Sequence, residues 1–172
     1  ATFAQGFKSG GFNLGGLQAP FNPENLTDYE AGIKGEYFDG ALNASLAVFR
    51  IDQENLATKL PQENFYRAVG AVRSQGLELE AHMQLTDNLK VLGSYTFTDI
   101  EYSKSMISTL STPTDVIENK GNSPTQAPRH MASLWADYKF DSAALDGLRL
   151  GGGVRYVGYS WADAENTMKV PS

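Results

Sequence analysis

The chain has 172 residues, of which 41% are hydrophobic and 20% charged, and its 14 basic and 20 acidic side chains leave a net charge of −6. The aromatic and β-branched content argues against disorder, the acidity argues against a nucleic-acid partner, and the absence of cysteine excludes a disulfide scaffold and a thiolate metal site. No apolar run approaches the ~20 residues of a transmembrane helix, which excludes a helical membrane protein but not a membrane β-barrel.

Alternation with a period of two residues dominates the sequence and predicts β-strands. From Thr27 to Phe38, small or apolar residues occupy the odd positions, and the even positions are charged or glycine until the last. Successive side chains of a strand point to opposite faces, so such a segment has one apolar and one polar side. The pattern predicts seven strands, with an eighth beginning near Val170. The seven are Thr2–Gly10, Thr27–Phe38, Ala41–Ile51, Val69–Leu85, Leu89–Thr98, His130–Phe140 and Leu148–Tyr156.

The third predicted strand changes its pattern near its end. Leu42, Leu46 and Val48 share one parity, which Arg50 and Asp52 then take over. Two explanations stay open at this point: a β-bulge that shifts the phase, or the exit of the strand from a membrane.

The connections between the predicted strands alternate between short and long. The short ones are Phe38–Ala41, with the turn sequence Asp39-Gly40, then Thr86–Leu89 and Phe140–Leu148; the long ones are Gly11–Leu26, Gln53–Ala68, Ser103–Ala127 and Trp161–Pro171. Long structureless loops are uncommon in compact soluble domains, whereas this rhythm is typical of membrane barrels. A soluble antiparallel sandwich also alternates but explains the loops poorly. We therefore predict an all-β, antiparallel up-and-down transmembrane β-barrel, with strands of about 10–13 residues.

Few residues suggest chemistry, and none suggests an enzyme. His82 and His130 lie on different predicted strands, without the spacing of a metal site. Glu78 and Glu80 share a strand face, where we expect a hydrated wall with Arg or Lys partners on a neighbouring strand rather than acid–base catalysis. The glycines at 151–153 lack the Lys-Ser/Thr and the helix of a phosphate loop, and glycine within a strand is typical of a close backbone approach or a bend.

Several segments resemble TonB-dependent outer-membrane receptors. Residues 7–13 read FKSGGFN, residues 29–34 read YEAGIK, and residues 70–80 contain the pattern R-x-x-G-x-E-x-E; each is similar to a segment seen in many of these receptors. The most specific similarity is to the C-terminal barrel of ferric-hydroxamate (ferrichrome-type) siderophore receptors. It is carried by residues 119–124, 128–138 and 148–158.

The resemblance implies a 22-stranded barrel with an N-terminal plug, in the outer membrane of a Gram-negative bacterium. Such a receptor takes up ferric siderophores with energy from the inner-membrane TonB complex. Residues 1–172 would be about seven strands of that barrel, without the plug domain and the C-terminal strands. The implied partners are the ferric siderophore as transported ligand, the plug, outer-membrane lipid, and the TonB complex acting through a missing N-terminal region; no cofactor is implied.

The resemblance carries over no ligand-binding residue to this sequence. Four polar residues would face the lumen and hydrogen-bond the plug: Glu78, Glu80, Lys90 and Arg155. Three aromatic residues near long loops are candidates for ligand contact, with ordinary loop packing as the alternative: Phe65, Tyr66 and Tyr102. Uptake of cobalamin or an oligosaccharide through the same architecture is an alternative function. A passive porin or adhesin barrel without a plug is another.

Overall fold

The computed structural model describes residues 1–12, 20–59, 66–107 and 116–172. Seven strands form one antiparallel sheet in the order β1-β2-β3-β4-β5-β8-β9, which confirms the predicted number of strands and their all-β class. The elements are β1 (Thr2–Lys8), β2 (Glu24–Tyr37), β3 (Leu42–Lys59), β4 (Tyr66–Gln84), β5 (Leu89–Lys104), β6 (Met106–Ile107), β7 (Val116–Ile117), β8 (His130–Lys139), β9 (Arg149–Val157), β10 (Ser160–Trp161) and β11 (Lys169–Val170). Over these ranges, no helix has the length and hydropathy needed to cross a membrane.

The strand registers align the alternating residues into two continuous faces. Leu46 of β3, for example, lies opposite Ile33 of β2 and Leu79 of β4. The apolar face comprises Ile33, Leu42, Leu46, Val48, Leu77, Leu79, Val91, Tyr95, Leu134, Leu150 and Val154. The polar face comprises Asp28, Glu30, Lys34, Glu36, Asn43, Ser45, Glu78, Glu80, His82, Lys90, Ser94, Ser133, Trp135, Asp137, Lys139, Arg149 and Arg155. Because side chains alternate along each strand, the two sets point in opposite directions.

The apolar face is uncovered. Ile33 and Val154 are each 71% exposed, and Leu150 is 66% exposed. Ala71 is the one hydrophobic residue that is fully buried among the side chains the structure describes. A sandwich would cover this face with a second large sheet, whereas the seven long strands form one sheet and the other two described sheets have two strands each. A continuous apolar surface of this kind needs a nonpolar environment or a partner.

The central strands are longer than expected. β2, β3, β4 and β5 have 14, 18, 19 and 16 residues, so the general length of 10–13 residues is wrong for them, although the long predicted run from Val69 to Leu85 matches most of β4. The expected long connection from Gln53 to Ala68 is also wrong, because pairing between β3 and β4 continues to Lys59 and Tyr66. The backbone hydrogen bonds of the ladder therefore continue beyond the part of β3 in which side-chain polarity alternates.

The change of pattern at Arg50 involves no bulge. Pairing with both neighbouring strands runs without interruption from Leu42 to Glu54. The first irregularity follows at Asn55, whose φ is +59°. Arg50 and Asp52 therefore lie on the same face of β3 as Leu46 and Val48, and this face becomes polar from Arg50 onward.

The three short connections are confirmed. Between β2 and β3, Phe38, Asp39 and Gly40 have positive φ, and the Ala41 N–H donates to the Phe38 carbonyl at 3.0 Å. Glycine is suited to this conformation, since it lacks a Cβ. The expected strand near Val170 exists as β11, but it pairs with β10 rather than with the seven-stranded sheet.

Candidate functional site: a polar sheet face and a loop clasp

The structure brings the predicted polar residues onto one side of the sheet. Glu78, Glu80, Lys90 and Arg155 all lie on the polar face, on strands β4, β5 and β9. They do not converge on one point, since three strand boundaries separate Glu80 from Arg155. The arrangement is an extended wall of separated charges rather than a pocket for catalysis.

The expected cation partners of the paired carboxylates are not found. Glu78 lies opposite Ala47 and Thr96, and both neighbours of Glu80 are serines. Neither carboxylate forms an ion pair or side-chain hydrogen bond with another described residue, so the expectation of Arg or Lys partners on an adjacent strand is wrong. The sequence pattern fixes which face a residue occupies, whereas its cross-strand partner depends on the register.

An aromatic side chain lies flat on the polar face near the β8–β9 turn. The Trp135 indole covers Gly151 and Gly153, where an added Cβ would be 2.8 Å from a ring atom in each case. Gly152, on the other face, has no atom within 4 Å of such a Cβ. The expected close backbone approach is found at Gly153, where an added Cβ would be 2.5 Å from the Leu134 carbonyl oxygen. At Gly151 the group that approaches is the Trp135 ring, for which glycine leaves room.

Beyond Val48, the face of the sheet that was apolar carries ion pairs instead. The carboxylate of Asp52 accepts hydrogen bonds from the Nε atoms of Arg50 and Arg73, at 2.9 and 2.8 Å. Further pairs at this level are Lys104–Glu54 and Arg129–Asp99, both at 2.8 Å. These groups are partly exposed, and such pairs contribute about 0–1 kcal/mol each. Their main consequence is a sharp border between an apolar zone and a charged zone on one side of the sheet.

Two segments that are distant in the sequence are joined beyond the end of the sheet that lies opposite the short turns. We call residues 119–126 and 158–168 the loop clasp. The Asn166 side chain donates to the Ser123 carbonyl and accepts from the Ser123 N–H, both at 2.8 Å. The Asn122 amide donates to the Ala164 carbonyl at 2.9 Å. Because Asn119 is fully buried and Ser123 is 4% exposed, the clasp has a small polar interior.

Asp163 organises the turn within the clasp. Its carboxylate accepts hydrogen bonds from the Thr167 hydroxyl, the Thr167 N–H and the Met168 N–H. These bonds, led by that of the Thr167 hydroxyl, hold the pKa of Asp163 below its ordinary value. The turn is therefore stabilised by the ionised form.

Aromatic rings and a lysine stabilise the short β10–β11 hairpin, whose first strand lies within the clasp. The Tyr159 and Trp161 rings meet edge to face at 6.0 Å, and the Lys169 Nζ lies 4.3 Å from the centre of the Tyr159 ring. A cation over an aromatic face is attracted by the ring quadrupole. Sequence reasoning missed this cluster, because only the pairing of Trp161 with Lys169 brings it together.

The three candidate ligand residues differ in how they are placed. Phe65 lies outside the described residues, and Tyr66 begins β4 opposite Lys59. Tyr102 lies opposite Val72, half-buried, and its backbone N–H donates to the Asn122 carbonyl at 2.9 Å. Tyr102 therefore links the main sheet to the clasp, and its role in ligand contact stays a prediction.

The two histidines lie on opposite faces. His82 is on the polar face, and His130 is on the apolar one, where its Nδ1 is 2.9 Å from the Tyr95 hydroxyl and its ring is 5.2 Å from that of Phe97. Across the part of the chain that the structure describes, no group of three potential metal ligands occurs.

Comparison with known proteins identifies relatives of the whole chain. A family model described as "TonB dependent receptor-like, beta-barrel" matches residues 1–172. The chain is 41% identical over 150 residues to the ferrioxamine B receptor of Salmonella typhimurium, which covers 87% of this chain and 20% of that protein. It is 40% identical over 153 residues to the ferrichrome outer membrane transporter/phage receptor of Escherichia coli, covering 88% and 19%. The chain thus spans about a fifth of these relatives.

A solved structure shares the architecture. The ferric yersiniabactin uptake receptor FyuA from Yersinia pestis matches with a TM-score of 0.74 at 20% identity, over 97% of this chain and 24% of that one. At this identity the likeness concerns the fold alone. It shows that the seven-stranded sheet has the fold of part of a β-barrel wall, and the sandwich alternative is wrong.

Proposed function

Because the chain belongs to the TonB-dependent receptor β-barrel family, which comprises outer-membrane proteins of Gram-negative bacteria, we propose that it forms part of the wall and outer loops of a ferric siderophore transporter. The observation that carries this proposal is the single-layered sheet with one uncovered apolar face and one charged face. Such a sheet suits a barrel that has lipid outside and a polar lumen inside.

The geometry distinguishes the two ends of the strands. The short turns after Tyr37, Gln84 and Lys139 lie at one end of the sheet, and the clasp lies at the other. Outer-membrane barrels have short periplasmic turns and longer extracellular loops. We therefore assign the clasp to the extracellular end and the turns to the periplasmic end.

In the proposed mechanism, a ferric siderophore binds at the extracellular mouth of the complete receptor. A plug inside the barrel then rearranges with energy from the TonB complex, and the ligand is released inward. Residues 1–172 supply a rigid wall and part of the mouth in this process. The hydrogen-bonded ladder from β1 to β9 suits a fixed frame, since every interior strand pairs on both sides.

The proposed substrate class is the ferric hydroxamates. Its support is the similarity to the ferrioxamine B and ferrichrome receptors, at 41% and 40% identity. Radiolabelled iron uptake tests this in a strain that lacks the complete gene, with plasmid-borne wild type as the control. We expect uptake of ferrichrome or ferrioxamine B to be lost on deletion and restored by the plasmid, with cobalamin uptake unchanged. Unchanged hydroxamate uptake would refute the substrate class.

A further inference from the structure

The two faces of the sheet exchange polarity beyond Val48. At this level the face that was apolar carries the ion pairs of Asp52 with Arg50 and Arg73. The polar face carries apolar side chains at the same level, and we call this part of it the mouth section. Its apolar side chains, each partly exposed, are Leu26, Phe49, Ile51, Val72, Ile100 and Tyr102.

The mouth section has the size of a contact for one small molecule. Phe49 on β3 and Ile100 on β5 are two strands apart, which is about 10 Å at ~4.8 Å per strand. The section lies towards the clasp end of the sheet, which the proposed function assigns to the extracellular mouth. Partly exposed apolar side chains inside a solvated lumen suit the aliphatic part of a bound ligand.

Two carboxylates lie in the mouth section without a cation. Asp28 is opposite Ile51, and Glu30 is opposite Phe49. Neither carboxylate forms an ion pair or a side-chain hydrogen bond with another described residue, and the Asp28 Oδ1 atom is buried without a hydrogen-bond partner. The next cation of β2 on this face, Lys34, is four residues from Glu30, or about 13 Å along the strand.

A third carboxylate of β2 shows the contrast. Glu24 accepts hydrogen bonds from the Lys8 Nζ at 3.1 Å and from the Gln53 amide at 3.2 Å. The wall therefore neutralises the carboxylate that holds its strands together and leaves the charges of Asp28 and Glu30 uncompensated. Uncompensated negative charge in the mouth section favours a positively charged ligand group and disfavours an anionic ligand.

An aromatic ring lies beside the two carboxylates. Phe49 pairs directly with Glu30 and is the diagonal neighbour of Asp28, so both carboxylates are within the reach of one group bound at the ring. The ring rests against Gly76, where an added Cβ would be 3.1 Å from the Phe49 Cζ atom. Carboxylates beside an aromatic ring are complementary to an ammonium group, which forms charge-assisted hydrogen bonds with the first and a cation–π contact with the second.

From this arrangement we propose that Asp28, Glu30 and Phe49 form a subsite for a free ammonium group of the transported ligand. The subsite makes the receptor select ferric hydroxamates that carry such a group over neutral ones. The inference rests on the proposed function, since it places the polar face inside the mouth of a ferric hydroxamate transporter.

A matched pair of ligands tests the subsite. Ferrioxamine B ends in a free amine that is protonated at pH 7, and acetylation of this amine removes the charge while leaving the iron-binding hydroxamates unchanged. The affinities of both ferric complexes are measured by calorimetry on the purified complete receptor. We expect the charged ligand to bind at least about tenfold more tightly than the acetylated one, because hydrogen bonds between charged groups are the stronger ones.

Variants of the subsite should abolish this preference. Asp28→Asn combined with Glu30→Gln should bring the ratio of the two affinities close to one, by weakening ferrioxamine B and leaving its acetylated form unchanged. Phe49→Leu should lower the ratio about threefold, because it removes the cation–π contact. Glu36→Gln, on the same strand and face near the short turns, is the matched control and should retain the ratio.

The outcomes separate the inference from the proposed function. Equal affinities of wild type for the two ligands would refute the subsite alone. A ratio that the double variant retains would refute it as well, including the case in which both affinities fall in equal proportion. Absence of binding of either ligand, and of ferrichrome, to the folded wild-type receptor would refute the proposed substrate class and the subsite with it.

Discussion

Asn166 and Ser123 form a reciprocal pair of hydrogen bonds although 43 positions separate them in the chain. The side-chain amide of Asn166 replaces the backbone partner that a neighbouring strand would offer to Ser123. Asn166 also has a φ of +58°, a left-handed conformation that asparagine tolerates better than most residues. One side chain thus joins two outer loops and closes a turn.

Replacing Asn166 should open the clasp locally. In Asn166→Ala, the nearly buried N–H and carbonyl of Ser123 lose their partners, and each unsatisfied buried group costs about 1–3 kcal/mol. We expect the Ser123 amide of the complete receptor to exchange at least tenfold faster, as measured by hydrogen exchange and mass spectrometry. Asn166→Gly separates the causes, since glycine accepts the positive φ but cannot form the bonds. Protection retained in the glycine variant would mean that backbone conformation, not hydrogen bonding, maintains the clasp.

The turn at Asp163 should resist acid until its carboxylate is protonated. Its pKa is lowered in the folded state, so the stabilisation is fully present above the ordinary aspartate pKa and is lost as the pH falls through the folded-state value. We expect the protection of the Thr167 and Met168 amides, normalised to the intrinsic exchange rate at each pH, to be constant from pH 7 to about pH 5 and to fall only below the ordinary value of about 3.9. Asp163→Asn should show weaker protection without this titration. A loss of protection centred above that value would contradict the assignment.

Gly153, which lies beneath the Trp135 ring, should tolerate no added side chain. In Gly153→Ala, the new Cβ would be 2.5 Å from the Leu134 carbonyl oxygen and 2.8 Å from the indole. Such overpacking costs about 1–3 kcal/mol. Urea unfolding of the complete receptor in liposomes should show this loss, whereas Gly152→Ala, whose Cβ meets nothing within 4 Å, should not. Equal stability of the two variants would show that the ring does not require the glycine.

A charge should be costly on one face of β3 and harmless on the other. Leu46→Arg places a cation on the apolar face between Leu42 and Val48, where a lipid-facing Arg costs about 2–4 kcal/mol near the midplane of the bilayer. Ser45→Arg, at the preceding residue, places the same cation on the other face, opposite Glu80. We expect a reduced free energy of folding into liposomes for the first variant only. Similar values for both would refute the assignment of faces.

The ends of the sheet should differ in access from outside the cell. A cysteine at Lys120, in the clasp, should react with an impermeant maleimide on whole cells of a strain that expresses the complete receptor. A cysteine at Asn88, in the turn between β4 and β5, should react only after the cells are opened. Labelling in the reverse pattern would show that the extracellular and periplasmic ends are interchanged.

Much of the sheet could be predicted from alternation, and the reason is physical. Leu46, Leu77 and Leu134, on three different strands, must all face one apolar environment. Apolar residues therefore recur at every second position of each strand, and this alternation identifies the face on which a residue lies. The three short turns predicted that β2 and β3, β4 and β5, and β8 and β9 are neighbours in the sheet. The outer part of β3, from Asp52 to Lys59, could not be predicted in this way, because the backbone bonds between Gln53 and Val72 leave no mark on side-chain polarity, although most of β4 was predicted.

The candidate site was less predictable than the sheet. Alternation assigned Glu78 and Arg155 to the polar face but did not reveal that Glu78 has only neutral neighbours, since that depends on the register of three strands. The bonds between Asn166 and Ser123 join polar residues of two different loops, and no sequence period connects them. The glycine run did carry a signal, although its partner Trp135 could be identified only from the pairing of β8 with β9.

The length of β3 determines how far the protein projects from the bilayer. Its 18 residues, at ~3.3 Å each and tilted by about 40°, rise roughly 45 Å, compared with an apolar band about 25 Å tall. About 20 Å of paired strand, from near Arg50 to Lys59, therefore extends beyond the hydrocarbon zone. An epitope inserted beyond Lys59 would be carried on a stiff stalk above the cell surface, within reach of an antibody.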